Sequence, residues 1–106
     1  MFARNVTMQL RPNCVENFTH TMETEVIPLL QKQKGFKDEL SFVVANGTEA
    51  VGISLWETKE SAENYNRETY PRIVKSLAEV IQGTPTVRTY EVTNSTIHKL
   101  STKSAR

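Results

Sequence analysis

Residues 36–57 read FKDELSFVVANGTEAVGISLWE, and this stretch decides the fold. Leu40, Phe42 and Val44 alternate along Phe36–Ala45 in the manner of a half-buried strand. Asn46-Gly47 follows, the dipeptide that best tolerates the positive φ angles of a two-residue hairpin turn. The return strand covers about Glu49 to Glu57, with Val51, Ile53 and Leu55 on one face and Gly52, Ser54 and Trp56 on the other.

Upstream of this hairpin, Phe2, Val6, Met8 and Leu10 share one parity, so Phe2 to Leu10 reads as a first strand. Arg4 is the one polar intruder on its apolar face. Pro12-Asn13 ends that strand, and Asn13 with Glu16 three residues later resembles a capping box. Val15, Phe18, Met22, Val26, Leu29 and Leu30 then recur at helical spacing toward Lys34. Pro28 lacks an N–H and crowds the carbonyl of Thr24, so a bend is expected near Thr24 and Glu25. Gly35 stops the helix.

Downstream, Thr58 is placed to cap a helix running through Glu68, and Pro71 restarts it at a first-turn position. Ile73, Leu77, Val80 and Ile81 form a second helical stripe that Gly83 ends. Thr86 to Thr93 is a fourth strand, rich in Thr, Val and Tyr. The order strand, helix, strand, strand, helix, strand predicts a ferredoxin-like α+β sandwich, βαββαβ, with both helices on one sheet face. That assigns residues 1–93 to the domain and leaves 94–106 as a polar C-terminal tail. The face without helices is expected to carry Asn5, Thr7, Ser54 and Trp56 with part of the second and fourth strands, and such an uncovered, partly apolar face implies a partner.

The chain has 106 residues, the size of one domain with one modest core. Thirteen Lys and Arg against twelve Asp and Glu leave a net charge of +1, which argues against a nucleic-acid binder working by bulk charge. Cys14 is the single cysteine, so an intrachain disulfide and a Cys-rich zinc site are both excluded. No apolar run approaches the roughly 18 residues of a membrane span, and the first residues do not read as a signal peptide. A cytoplasmic protein without a membrane role is expected. His20 is expected to face solvent, and His98 lies in the tail with no partner motif, so no metal site is expected. Gly35, Gly47, Gly52 and Gly83 are scattered, so no phosphate-cradling loop and no nucleotide cofactor are indicated.

The runs Glu25-Val26-Ile27-Pro28-Leu29-Leu30, Gly35-Phe36, Ala50 through Thr58, and Tyr70-Pro71 together resemble the antibiotic biosynthesis monooxygenase-like domains of the dimeric α/β barrel superfamily. The resemblance covers about Phe2 to Thr93. It implies a homodimer in which two sheets close into a barrel, with a cleft in each subunit between sheet and helices. It implies a choice among cofactor-independent monooxygenases, haem-degrading oxygenases, isomerase-like enzymes for small signals and members without assigned activity. Of the haem-degrading pattern only Asn5 matches; Tyr65 stands at the Trp position and Lys75 at the His position, which argues against haem degradation. Of the quinone-forming pattern only Trp56 matches; Gly52, Ala62 and Ser76 stand where that pattern has Asn, Tyr and Arg.

Two readings therefore stand side by side. One is a small cofactor-independent monooxygenase acting on an aromatic, phenolic or quinol-type molecule. Asn5 and Trp56 would be its polar anchors at the reacting oxygen, and Thr7, Ser54, Tyr65 and Arg88 would bind substrate. The other is a non-catalytic dimeric module that binds a small molecule, in which Trp56 and Asn5 serve the core or the dimer interface and the strand hydroxyls have no special role.

Overall fold

The structure, a computed structural model, describes residues 1–99. Strands β1 (Phe2–Leu10), β2 (Phe36–Val43), β3 (Glu49–Trp56) and β4 (Ile81–Glu91) form one antiparallel sheet in the order β2-β3-β1-β4. Helices α1 (Val15–Thr21) and α2 (Ile27–Gln31) fill the first crossover, and α3 (Lys59–Glu68) and α4 (Tyr70–Ser76) fill the second. This is the expected ferredoxin-like arrangement. No helix among the described residues is long and apolar enough to cross a membrane.

The expected bend is a π-helical turn over Met22–Val26, joining α1 to α2. Pro28 leaves the Thr24 carbonyl without its usual donor, and the ladder widens just ahead of it. Thr58 caps α3 as expected, its Oγ1 accepting the Ser61 N–H at 3.0 Å. Pro71 opens α4. The cap of α1 needs correction. Asn13 adopts φ 61°, and Cys14 takes the N-cap position without a side-chain hydrogen bond. A left-handed Asn13 turns the chain instead of closing a box with Glu16.

β4 also starts earlier than the sequence suggests. Val80 and Ile81 join the core as expected, but α4 ends at Ser76 and Ile81 already belongs to the strand. Gly83 does not end a helix. The β1–β4 register jumps between Thr7↔Thr86 and Gln9↔Gln82, so residues 83–85 bulge opposite Met8, and Gly83 supplies the φ of +73° there.

The register fixes which side chains lie under the helices. Phe2 pairs with Trp56, Arg4 with Ser54, Val6 with Gly52 and Met8 with Ala50. Directly opposed residues share a face. The face bearing Ala50, Gly52, Ser54 and Trp56 is therefore the helix-covered one, with Trp56 and Ala50 fully buried. The other face carries Asn5, Thr7, Val51, Ile53 and Leu55. Ser54 and Trp56 thus do not share a face with Asn5 and Thr7, which corrects the sequence expectation. A bulge between Phe36 and Asp38 inverts parity along β2. Phe36 and Glu39 therefore face the helices, while Leu40 and Phe42 face outward.

The core joins Phe18, Met22, Val26 and Leu30 from the first helical segment to Ile73 and Leu77 from the second, over Phe2, Met8, Leu10 and Trp56 of the sheet. Beyond β4, residues 94–99 continue past the sheet, and the His98 imidazole meets the Asp38 carboxylate, a partner the sequence did not suggest. Residues 100–106 of the expected tail lie outside the described residues.

Candidate functional site

Between the helix-covered face and the helices lies a cleft with an empty volume of about 450 Å³, counting its open mouth. Met22, Val26, Leu30, Ile73 and Leu77 give it apolar walls. Its polar atoms come from Glu39, Ser54, Tyr65 and Tyr70. A largely apolar pocket with a few convergent polar groups suits a small aromatic ligand.

Each polar group has an identifiable origin. Ser54 sits on the central strand β3, and the Trp56 indole N–H donates to its Oγ at 2.9 Å. Trp56 packs against Tyr65 with ring centroids 4.7 Å apart, and edge-on to Phe36 at 5.6 Å. The indole N–H is thus committed to Ser54, which keeps its own hydroxyl hydrogen to donate into the cleft. Tyr65 follows Ala62 by three residues on α3, so both point to the sheet. Burial pushes the phenols of Tyr65 and Tyr70 up, and the nearby Arg4 cation opposes the shift in both.

Arg4 stands out. It is 3% exposed on the central strand, with its guanidinium carbon 4.7 Å from the Tyr70 ring centroid and 5.2 Å from that of Tyr65. Nη1 donates to Asn66 Oδ1 at 2.8 Å, while buried Nε, buried Nη2 and the buried Tyr70 hydroxyl have no partner. Cation–π stacking is worth up to about 2 kcal/mol when desolvated. Leaving a buried donor unpaired costs about 1–3 kcal/mol, and more when charged. Stacking alone therefore does not offset the burial of this cation. Burial lowers the Arg4 pKa, but a guanidinium remains charged at neutral pH.

Glu39 enters from β2. Its carboxylate accepts from Ser41 Oγ, at 2.9 Å to one oxygen and 3.2 Å to the other. It occupies space that a side chain at position 52 would contest, since a Cβ on Gly52 would lie 3.3 Å from Glu39 Oε2. Burial raises the Glu39 pKa, and the Ser41 hydrogen bond partly opposes this.

The residues proposed from sequence therefore divide. Ser54, Trp56 and Tyr65 gather at the cleft. Asn5, Thr7 and Arg88 gather on the opposite face, where Asn5 pairs with Arg88 across the strands and Thr7 Oγ1 donates to Asn5 Oδ1 at 3.4 Å. Sequence reasoning missed Arg4, Glu39 and Tyr70 as a set. The signal for Arg4 was present as a break in strand parity, whereas the β2 bulge concealed Glu39. Among the described residues, no group of three His, Cys, Asp or Glu side chains is placed to hold a metal ion.

No protein-family model matches the sequence. An uncharacterized protein of Mycobacterium tuberculosis, Rv2557, is 29% identical over 92 residues, covering 87% of this chain and 41% of the relative. The chain thus spans about two-fifths of the length of the curated relatives it matches. Among solved structures, a monooxygenase from the ActVA-Orf6 gene of Streptomyces coelicolor, in complex with nanaomycin D, superposes with a TM-score of 0.75 at 14% identity, covering 92% of each chain. SnoaB, a cofactor-independent oxygenase from Streptomyces nogalater, gives 0.73 at 10% identity, covering 92% of this chain and 97% of its own. The chain has the fold of the antibiotic biosynthesis monooxygenase-like domains.

The raised Glu39 pKa has a defined consequence for stability. As pH rises, the native carboxyl holds its proton after the unfolded chain has lost its own, so stability falls between the ordinary and the raised value and stays lower above both. Glu39→Gln should therefore raise the denaturant midpoint relative to wild type at neutral pH, and the gain should fade below about pH 4. No gain at neutral pH, or a gain that grows on acidification, would contradict a carboxyl destabilised by partial burial.

Proposed function

We propose that the chain is a cofactor-independent monooxygenase-like oxidoreductase. It would bind an aromatic, phenolic or quinol-type molecule in the cleft between sheet and helices. The observation that carries this reading is the cleft itself, where a half-buried carboxylate and two phenols line an apolar slot in the fold of known oxygenases. The reduced ring supplies the electrons, so the reading requires no bound cofactor. Once ionised, a phenol can pass an electron to O₂ and then combine with the reduced oxygen at carbon. One oxygen atom becomes a new carbonyl and the other leaves as water, with four electrons drawn from the ring. The protein's part is to orient the ring, take its proton and exclude water.

Glu39 is the base in this proposal, because a carboxyl held above its ordinary pKa works closer to neutrality. Ser54, positioned by Trp56, and Tyr65 supply hydrogen bonds to the substrate oxygens. The quinone-forming pattern has other residues at three places, and the cleft and the side chains packed behind it supply comparable groups from elsewhere. Glu39 fills the space beside Gly52, Tyr65 stands one turn beyond Ala62, and Arg4 offers a cation where Ser76 is exposed. Oxygen uptake with a panel of naphthols and hydroquinones tests the reading. Uptake with matching quinone formation is expected, and Glu39→Gln should reduce kcat/KM about a hundredfold. Binding without uptake across the panel would favour the non-catalytic module instead.

The proposal includes a homodimer. The open face presents Leu40 at 47%, Phe42 at 51% and Tyr90 at 48% exposure, beside half-buried Val51, Ile53 and Leu55. Asn5, Thr7 and Arg88 lie on this face. A second copy covering it would make them interface residues that hold the two sheets in register, with Asn5 within reach of substrate only if the partner completes the site. Sedimentation equilibrium should give twice the 12.1 kDa chain mass, and Phe42→Asp should shift it toward the monomer. A wild-type monomer at tens of micromolar would overturn this part.

A further inference from the structure

We propose that Arg4 and Tyr70 form a subsite for an anionic oxygen, so that the preferred ligand is an aryl acid: a ring carrying a phenolate or a carboxylate. The inference deepens the proposed function and rests on it in one respect, that the cleft holds an aromatic ring. It does not require turnover.

The starting point is the placement of Arg4. A cation on the middle strand of a sheet, 3% exposed, packs against two neighbouring aromatic rings and is tied by one nitrogen to Asn66. No carboxylate is paired with it among the described residues. Two of its nitrogens and the neighbouring Tyr70 hydroxyl are buried without partners. Two guanidinium nitrogens and the hydroxyl of a ring stacked on them, none with anything to donate to, fit a group with several lone pairs and a negative charge.

The surroundings select the rest of the ligand. Tyr65 and Tyr70 both stack on the guanidinium and both line the cleft, so a planar ring in the cleft brings a substituent toward Arg4 past these two edges. Asn66 holds one side of the fork, which fixes the orientation of the remaining donors. Arg4 borders a second recess with Lys59, Asn66 and Thr89 on the far side of α3. Arg4 itself borders that recess and not the cleft, but Tyr65 and Tyr70, the rings it stacks on, line the cleft and not the recess, so a ligand in the cleft reaches the guanidinium past these two rings.

The test compares 2-naphthoate with 2-naphthamide, two probes of nearly equal shape, one anionic at neutral pH and one neutral. Titration calorimetry on the full chain should show the naphthoate bound about tenfold more tightly. Arg4→Met should bring the two affinities together while leaving the amide bound as before. Tyr70→Phe removes a single unpaired oxygen and disturbs folding little, and it should reduce the preference severalfold. Lys59→Met should leave the preference intact.

Equal affinities in the wild type would overturn the subsite, as would binding of neither probe. An unchanged preference in both Arg4→Met and Tyr70→Phe would overturn it as well. Loss of preference in Lys59→Met would place the anion in the outer recess and overturn entry from the cleft. A preserved anion preference in a protein that consumes no O₂ with any phenol would remove the oxygenase reading and leave the subsite standing. Oxygen uptake without any anion preference would do the reverse.

Discussion

The pairing of Arg4 with Ser54 across the two central strands is the constraint on which the site depends. Because opposed residues share a face, this one register puts Arg4, Ser54, Trp56 and Gly52 together beneath the helices. A slip of one residue in β1 would split that set, carrying Arg4 to the outer face and bringing Asn5 and Thr7 inward beside Ser54 and Trp56. Register is held at one end by Trp56, fully buried between Phe36 and Tyr65, and at the other by Ala50 with no exposed surface. The same aromatic stack that anchors the sheet carries the chemistry, since the Trp56 N–H orients Ser54 and Tyr65 covers Arg4.

This arrangement sets stability against function. A core built only for packing would put an aliphatic residue at position 4 and a neutral one at position 39. Instead the chain buries a cation with idle donors and a carboxyl pushed up by burial. Polar groups kept in costly surroundings are a common mark of binding and catalytic sites. The two charges act on Tyr65 in opposite senses, Arg4 lowering and Glu39 raising its pKa, so the phenol lies between them electrostatically.

Much of the architecture could be read from the residues. The Thr58 cap, the break near Pro28 and the alternation in β1 carry local physics that tertiary contacts do not override. A hairpin does form at Asn46-Gly47, though as a longer loop over residues 45–48 with Gly47 alone of the pair at positive φ, and not as the two-residue turn expected. What failed did so at irregular backbone. Left-handed Asn13 displaced the first cap, and the bulge at residues 83–85 made Gly83 resemble a helix stop. The bulge after Phe36 inverted parity in β2, hiding Glu39 and exposing Leu40 and Phe42. The site was partly legible for the same reason. Trp56, Ser54 and Tyr65 are near it, but the sequence cannot say which parity of β3 meets the helices. Asn5, Thr7 and Arg88 were grouped with Ser54 and Trp56 on an assumption about that parity. Arg4, the residue that violated the apolar pattern, was the better pointer.

The central claim is that ligand chemistry occurs on the helix-covered side of the sheet, around Glu39 and Ser54. A crystal structure of the protein soaked with 1-naphthol tests it most directly. Electron density is expected for the ring between Met22, Ile73 and Leu77, with the naphthol oxygen within hydrogen-bond distance of Glu39, Ser54 or Tyr65. Density on the open face beside Asn5 and Arg88, with the cleft empty, would contradict it.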